Sequence, residues 1–483
     1  MAKVEIPIAA GFYEDSSKPI AAQECINWIP VVPQTNALSI AQLKGTPGLT
    51  SFATNGTKNN RGAHVMDSVA FFVNGNNLYR VNADGTSDDL GVISGSGRVS
   101  MADNGTQLCI VVPGVTGYIF TQSPDTLTAI TDANYFSLGP SNQVAYKDGY
   151  FIHISKDKFF ISNLNNGLVY GALDFGTAEV DPDDNTAIHV NRNILYIGGN
   201  ETIEPFQNVG GADFPFLRIP GGVVQKGVKA KFSVVDFDNS FVFLGGGTNE
   251  QPAIWRFTGS SAVKISTEAI DNVISGETDQ QLEDAYATVH AKDGGFFVCF
   301  HFSGTAFTYD AVATARLGKP VWHERQSRNV SGSPTSWRVA SLVQAYGKIL
   351  VGDTLGPTIG ELCSSTRTEY GGIIDRNVSS GPIQNQGLNF FISQLEITTE
   401  SGVGNTVDPG QNPLITMSMS TDGGYTFGNE LTRELGKIGN YEQRQIWRRL
   451  GRVARFAMFR FSVSAEVTPV IIKLEADITS GVQ

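Results

Sequence analysis

A strand–turn–strand theme returns roughly every 35 to 55 residues, close to the ~40 to 50 of one four-stranded propeller blade, and nothing else constrains the fold of this chain as strongly. Each return has an apolar strand, a turn with Gly or Asn, a second apolar strand and a more variable third segment. The theme is clear in SVAFFVNGNNLYRVN from Ser68, TQLCIVVPGVTGYIFTQ from Thr106, NQVAYKDGYFIHISKDKFFIS from Asn142 and TAIHVNRNILYIGGNETIEPF from Thr186. It continues in FSVVDFDNSFVFLGGG from Phe232, ATVHAKDGGFFVCFHFSGTAFTYD from Ala287 and RVASLVQAYGKILVGD from Arg338. Asn74-Gly75, Asn104-Gly105, Asp148-Gly149 and Asp293-Gly294 supply residues suited to the positive φ of tight hairpins. Such a unit cannot bury both faces alone, so the units are expected to stack round a ring. The spacing favours seven blades; two long intervals leave six as the alternative.

The expected fold is all-β: a β-propeller over residues 61–370, an extended N-terminal arm over 1–60 and a β-sandwich-like module over 371–483. Composition agrees, with 53 glycines, 10% aromatic and only 17% charged residues in 483. Pro19, Pro30, Pro33 and Pro47 disfavour helix in the arm, and the apolar run around Ile26, Trp28, Ile29, Val31 and Val32 requires a surface to cover. In the last segment RFAMFRFSV places Ala457, Phe459, Phe461 and Val463 on one face and Arg460 and Ser462 on the other, the period of a half-buried strand.

A net charge of −12 argues against a protein that coats nucleic acid over its whole surface, which needs clustered Lys and Arg. No stretch approaches the ~18 consecutive apolar residues of a membrane span, and the start lacks a basic segment followed by an apolar run; a soluble protein is expected. Cys25, Cys109, Cys299 and Cys363 lack metal-ligand or disulfide spacing, and His153 and His301 sit in apolar runs as expected core residues. Asp181, Asp183 and Asp184 in DPDDNT lack the ligand order of a calcium loop and read as a solvated turn. Neither a metal nor a cofactor is expected.

STDGGYTF, Ser420 to Phe427, fits the Asp-box, a hairpin common in sialidases and other propellers, and FLRIP around Arg218 is similar to the Arg-Ile-Pro of sialidase domains. Both are misplaced for a glycosidase: Arg218 lies mid-chain, and the one good Asp-box falls outside the repeats. The expectation is a structural turn in which Ser420, Asp422, Gly424, Thr426 and Phe427 shape a hairpin, with no catalytic residues. A sialidase-like hydrolase or a glycan-binding propeller is the alternative.

Arg444, Arg448, Arg449, Arg452, Arg455 and Arg460 crowd into 444–460. They suit a protein–protein interface, a solvated face paired with Glu430, Glu434 and Glu442, or phosphate contact. Trp28, Arg444, Arg448, Arg449 and Arg452 are the interface candidates.

The two ends together carry a resemblance. Asn27-Trp28 followed by Pro30, Gly45 to Leu49, the DGG hairpin, Gly436 to Gly439 and Trp447 to Gly451 resemble the tail nozzle or hub proteins, also called packaged-DNA stabilisation proteins, of short-tailed bacteriophages. The resemblance implies a virion protein in the phage tail, assembled in the host cytoplasm as a homo-oligomeric, hexameric ring below the portal and its adaptor. It also implies contacts to a needle or plug and to spikes or fibres, and DNA passing through without sequence-specific binding. An acidic chain suits a conduit whose wall must not hold phosphates.

Overall fold

The computed structural model describes residues 2–178, 183–211 and 214–481. Strands dominate, as the turn-rich, β-branched sequence requires, and no described helix is long and apolar enough to cross a membrane. Four-stranded antiparallel meanders succeed one another, beginning with the innermost strands Asn60–Met66, Ser100–Asp103, Gln143–Lys147 and Asn185–Asn191. The next meander is built round Ser240–Gly246, and the last two open with Tyr286–Lys292 and Val339–Ala345.

The first hairpin of most meanders is closed by a two-residue turn with both residues at positive φ, as in Asp67-Ser68, Asp148-Gly149, Arg192-Asn193, Asp238-Asn239, Asp293-Gly294 and Tyr346-Gly347. This geometry matches the right-handed twist of the flanking strands. Between neighbouring meanders the apolar faces merge. Phe71 and Val73 pack with Leu108 and Phe120, and Ile152 and Phe159 with Leu195 and Phe206.

Closure needs the arm. Strand Gly48–Thr54 pairs antiparallel with Thr358–Cys363 and forms the outer strand of the last meander, so this part of the 1–60 arm belongs to the propeller. First and last meanders then meet directly. The Tyr346 hydroxyl accepts from the Ala70 amide at 3.2 Å and donates to the Val81 carbonyl at 2.7 Å, while the Ser341 hydroxyl donates to Asn60 Oδ1 at 2.6 Å.

The C-terminal module is a sandwich. One sheet runs Gln445–Val453, Phe390–Thr399, Val470–Ser480, and continues into the arm strands Gln42–Gly45 and Trp28–Val31; Ala2–Ile6 pairs with Val470–Ser480. The other carries Arg376–Ser379, Phe456–Val463, Leu414–Ser420 and Leu431–Glu434. The alternation in RFAMFRFSV is realised: Ala457, Phe459, Phe461 and Val463 are buried against Leu395, Trp447 and Leu474.

Through Cys25–Ile26 the second sheet runs on into the propeller, since Ile26 bridges Glu324 on one side and Asn377 on the other. Asn27, at φ 58°, is the rivet at this seam. Its side-chain amide donates to the carbonyls of Gln326 (2.9 Å) and Asp375 (2.8 Å), and its Oδ1 accepts from the Gln326 amide (3.0 Å). Its own amide donates to the Glu324 carbonyl at 2.9 Å, and its carbonyl accepts from Thr46 at 3.1 Å. Asn suits the left-handed conformation that most side chains avoid. Close approach is needed nearby too: a Cβ on Gly48 would stand 2.3 Å from the Thr368 carbonyl oxygen.

Replacing Asn27 by Ala should therefore lower the unfolding free energy of the full chain by roughly 2–4 kcal/mol, because buried carbonyls lose their donors and the left-handed backbone loses a tolerant residue. The urea midpoint measures it; a wild-type midpoint would contradict the rivet.

Candidate functional site

The Asp-box sits at the end of strand Leu414–Ser420. Asp422 Oδ1 accepts from the Ser420 hydroxyl (2.7 Å) and the Tyr425 amide (3.0 Å), while Oδ2 accepts from the Thr426 hydroxyl (2.5 Å) and amide (3.0 Å). The Gly424 amide donates back to the Ser420 hydroxyl at 2.9 Å. The side-chain oxygens of Ser420, Asp422 and Thr426 are thus occupied by the turn itself. These bonds, the Thr426 hydroxyl foremost, hold the Asp422 carboxyl well below the usual carboxylate range.

The turn is also where the arm docks. A Cβ on Gly423 would meet the Pro19 ring at 2.9 Å, and one on Gly424 would meet Met458 and Ala22 at 3.0 and 3.1 Å. Arg460 covers the Phe427 ring with its guanidinium 3.9 Å from the centroid and pairs with Glu24 of the arm at 2.5 Å.

Arg218 is far from this hairpin in the chain and is half exposed on the outer strand Phe216–Arg218, where it pairs with Glu204 at 3.3 Å. Neither residue lines the recess of about 660 Å³ where the ends of several innermost strands converge. That recess holds Arg61, Arg98, Glu283, Asp284 and Tyr286. Arg61 is spent on the backbone, donating to the carbonyls of Gly97 (2.6 Å), Gly75 (2.9 Å) and Ile93 (3.3 Å), and Arg98 lies 3.8 Å over the Tyr286 ring. The residues of the two sialidase-like motifs are not brought together.

His153 and His301 are core residues as expected. His153 is held by the hydroxyls of Ser141 (3.0 Å) and Tyr170 (2.9 Å), and His301 meets the Thr288 hydroxyl at 3.2 Å and stacks on Tyr286. Burial pushes both down to about 3, so both are neutral at pH 7. Asp181 of the acidic DPDDNT turn lies outside the described residues; Asp183 accepts from the Glu201 amide at 2.7 Å.

Trp28 needs correcting as an interface candidate. It is 0% exposed within its own chain, in the same apolar cluster as Leu43 and Phe461, because the arm folds back as a strand of the sandwich sheet. The arginines divide. Arg444 forks onto Glu396 through two 2.8 Å bonds, holding that carboxyl below its usual range, and Arg460 pairs with Glu24. Glu430, Glu434 and Glu442 are therefore not the acids these two use. The partners used stand 48 and 436 residues away, beyond the reach of local pattern.

Arg448, Arg449 and Arg452 remain exposed on Gln445–Val453, which pairs with Phe390–Thr399 and lies at the edge of its sheet. Gln445, Trp447 and Val453 point into the core and Arg448 and Arg452 alternate outward, while a bulge opposite Ile392 to Gln394 holds Arg449 at φ 61° with its side chain exposed. Arg448 reaches the Gln394 side chain at 3.3 Å; no described carboxylate lies within ion-pair distance of the three.

Fold and site define a propeller–sandwich protein stitched by its N-terminal arm. The chain belongs to the Bacteriophage P22 Gp10 family: the family's β-propeller model matches residues 4–367 and its β-sandwich model residues 376–479. It is 23% identical over 477 residues to the tail hub protein gp10 of Salmonella phage P22, covering 95% of this chain and 96% of that protein. Among solved structures, the WD40 propeller domain of Doa1 aligns at 13% identity and a TM-score of 0.39, over 66% of this chain and 98% of its own. PorZ of the Porphyromonas gingivalis type-IX secretion system aligns at 9% and 0.39, over 73% of this chain and 44% of its own.

Because the Asp422 carboxyl titrates lower folded than its unfolded value of about 3.9, its contribution is complete above that value and is lost as pH falls through the folded pKa. Asp422→Asn should lower the melting temperature at pH 7 and flatten its fall below about pH 4. A variant as stable as wild type at pH 7 would contradict the turn's structural role.

Proposed function

We propose that this protein is the structural hub, or nozzle, of a phage tail, forming part of the channel below the portal and adaptor and helping to retain and then release packaged DNA. The correspondence with a tail hub protein along nearly the full length of both chains is the observation that carries this reading. It places the protein in the virion tail. The propeller is read as seven-bladed, supported by the succession of meanders and by the arm strand that completes the last one.

The protein is read as a non-enzyme, supported by the commitment of Asp422 to turn amides and of Arg218 to Glu204. Fluorogenic sialosides and other glycosides should give background turnover; hydrolysis lost on changing Arg218 or Asp422 would overturn this.

A closed hexameric ring is the proposed assembly, with its neighbours being the adaptor-side ring, a spike or fibre and a needle or plug. Surplus acid then faces the passing DNA, where clustered cations would create salt-dependent phosphate binding. The edge strand with Arg448, Arg449 and Arg452 faces a neighbouring protein, because exposed arginines lacking carboxylate partners suit an acidic partner. Native mass and negative-stain images should show a sixfold ring; a monomer that binds DNA tightly at physiological salt would sink the proposal. Changing Arg448, Arg449 and Arg452 together to Ser should leave the melting temperature unchanged and abolish docking to a neighbour. Unimpaired docking would remove these residues from the interface.

A further inference from the structure

Between the arm and one face of the sixth meander lies a cavity of about 160 Å³, the size that accepts a benzene-like molecule. Its floor is made by alternate residues of successive strands. His290 stands opposite Phe297, and Thr308 opposite His323, with Arg325 two residues further along the same strand face. The helix Ala311–Leu317 and the arm segment around Pro30 close it from above.

The polar groups in this floor are buried and unsatisfied. His290, Thr308, His323 and Arg325 are all more than nine-tenths buried, and each keeps an atom without a hydrogen-bond partner: Nδ1 of both histidines, the Thr308 hydroxyl and Arg325 Nε. Leaving such a group unpaired is costly, so four among the residues round one cavity are an unusual concentration.

Arg325 sets the charge of the site. Its guanidinium stacks 4.0 Å over Trp337 and makes one long bond, 3.4 Å, to the Pro47 carbonyl; the buried Glu369, which accepts from the Trp337 indole, acts on it only from beyond ion-pair distance. Burial lowers its pKa only to about 10, so it stays charged at pH 7. Asp310, an acid in the lining, accepts from the Ala313 amide at 2.9 Å, and burial raises its pKa, which favours its neutral form. At the mouth, Lys44 and Asp293 stand 3.8 Å apart, and Lys292 and Arg316 add positive charge. The opposite wall is apolar, from Pro30, Phe297, Val312 and Ala313.

We propose that this cavity binds a small monocarboxylate, its carboxylate taken by Arg325, Thr308 and the imidazoles and its short apolar body by the Phe297 and Ala313 side. Such a ligand pins the arm to the propeller, because it is enclosed by both.

Titration calorimetry and melting curves on the full chain, at constant ionic strength, test this with benzoate and acetate against benzamide. Benzoate should bind one per chain and raise the melting temperature, with benzamide weaker by about tenfold or more, as loss of a charge-assisted bond implies. Ala313→Phe, which fills the apolar side without touching the polar wall, should abolish benzoate binding. Equal binding of benzoate and benzamide, no binding of either at millimolar concentration, or undiminished benzoate binding by the Ala313→Phe protein would each overturn the assignment.

Discussion

The hydrogen bonds that the N-terminal arm makes to both modules are the constraint on which the rest of this molecule depends. Gly48–Thr54 completes the last meander, Trp28–Val31 and Gln42–Gly45 extend the sandwich, and Asn27 between them bonds to both sides. The apolar core follows the same path: Ile8, Phe12 and Trp28 of the arm share a cluster with Phe307 and Trp322 of the propeller and with Trp447 and Phe461 of the sandwich. A linker between two independent domains would leave each with an open edge and an apolar face. Here one segment covers both, and the modules have no relative freedom that does not break buried amide bonds.

This rigidity fits the role proposed for the protein better than a catalytic role would. A conduit has to hold its shape while a highly charged polymer passes, and it has to dock firmly to its neighbours. The arm ties propeller and sandwich together, and the exposed arginines at the sandwich edge lie away from the recess where the propeller strands converge. Where arginines could have formed an anion-binding cluster at that recess, Arg61 is committed to carbonyl oxygens instead.

Much of the fold was legible because it is local. The repeat, the Asp148-Gly149 and Asp293-Gly294 turns and the alternation in RFAMFRFSV are short-range signals, and each appears where expected. Arg192-Asn193 and Tyr346-Gly347 adopt the same turn without the Asn-Gly or Asp-Gly signature, since flanking strands impose it on residues that only tolerate it. The Asp422 turn was equally readable. What escaped was long-range: that Gly48–Thr54 closes the ring, that Trp28 is interior, and that Glu24 and Glu396 take Arg460 and Arg444. The floor of the cavity by Arg325 was invisible for the same reason, because His290, Thr308 and His323 meet only through strand register.

Hydrogen exchange of the full chain tests the stitched architecture most directly. If the arm is integral to both modules, the hydrogen-bonded amides of Asn27, of the non-proline residues of Trp28–Val31 and of Gly48–Thr54 exchange only with global unfolding, at the rate of inner strands such as Gln143–Lys147. Arm amides that exchange freely while the propeller stays protected would contradict it.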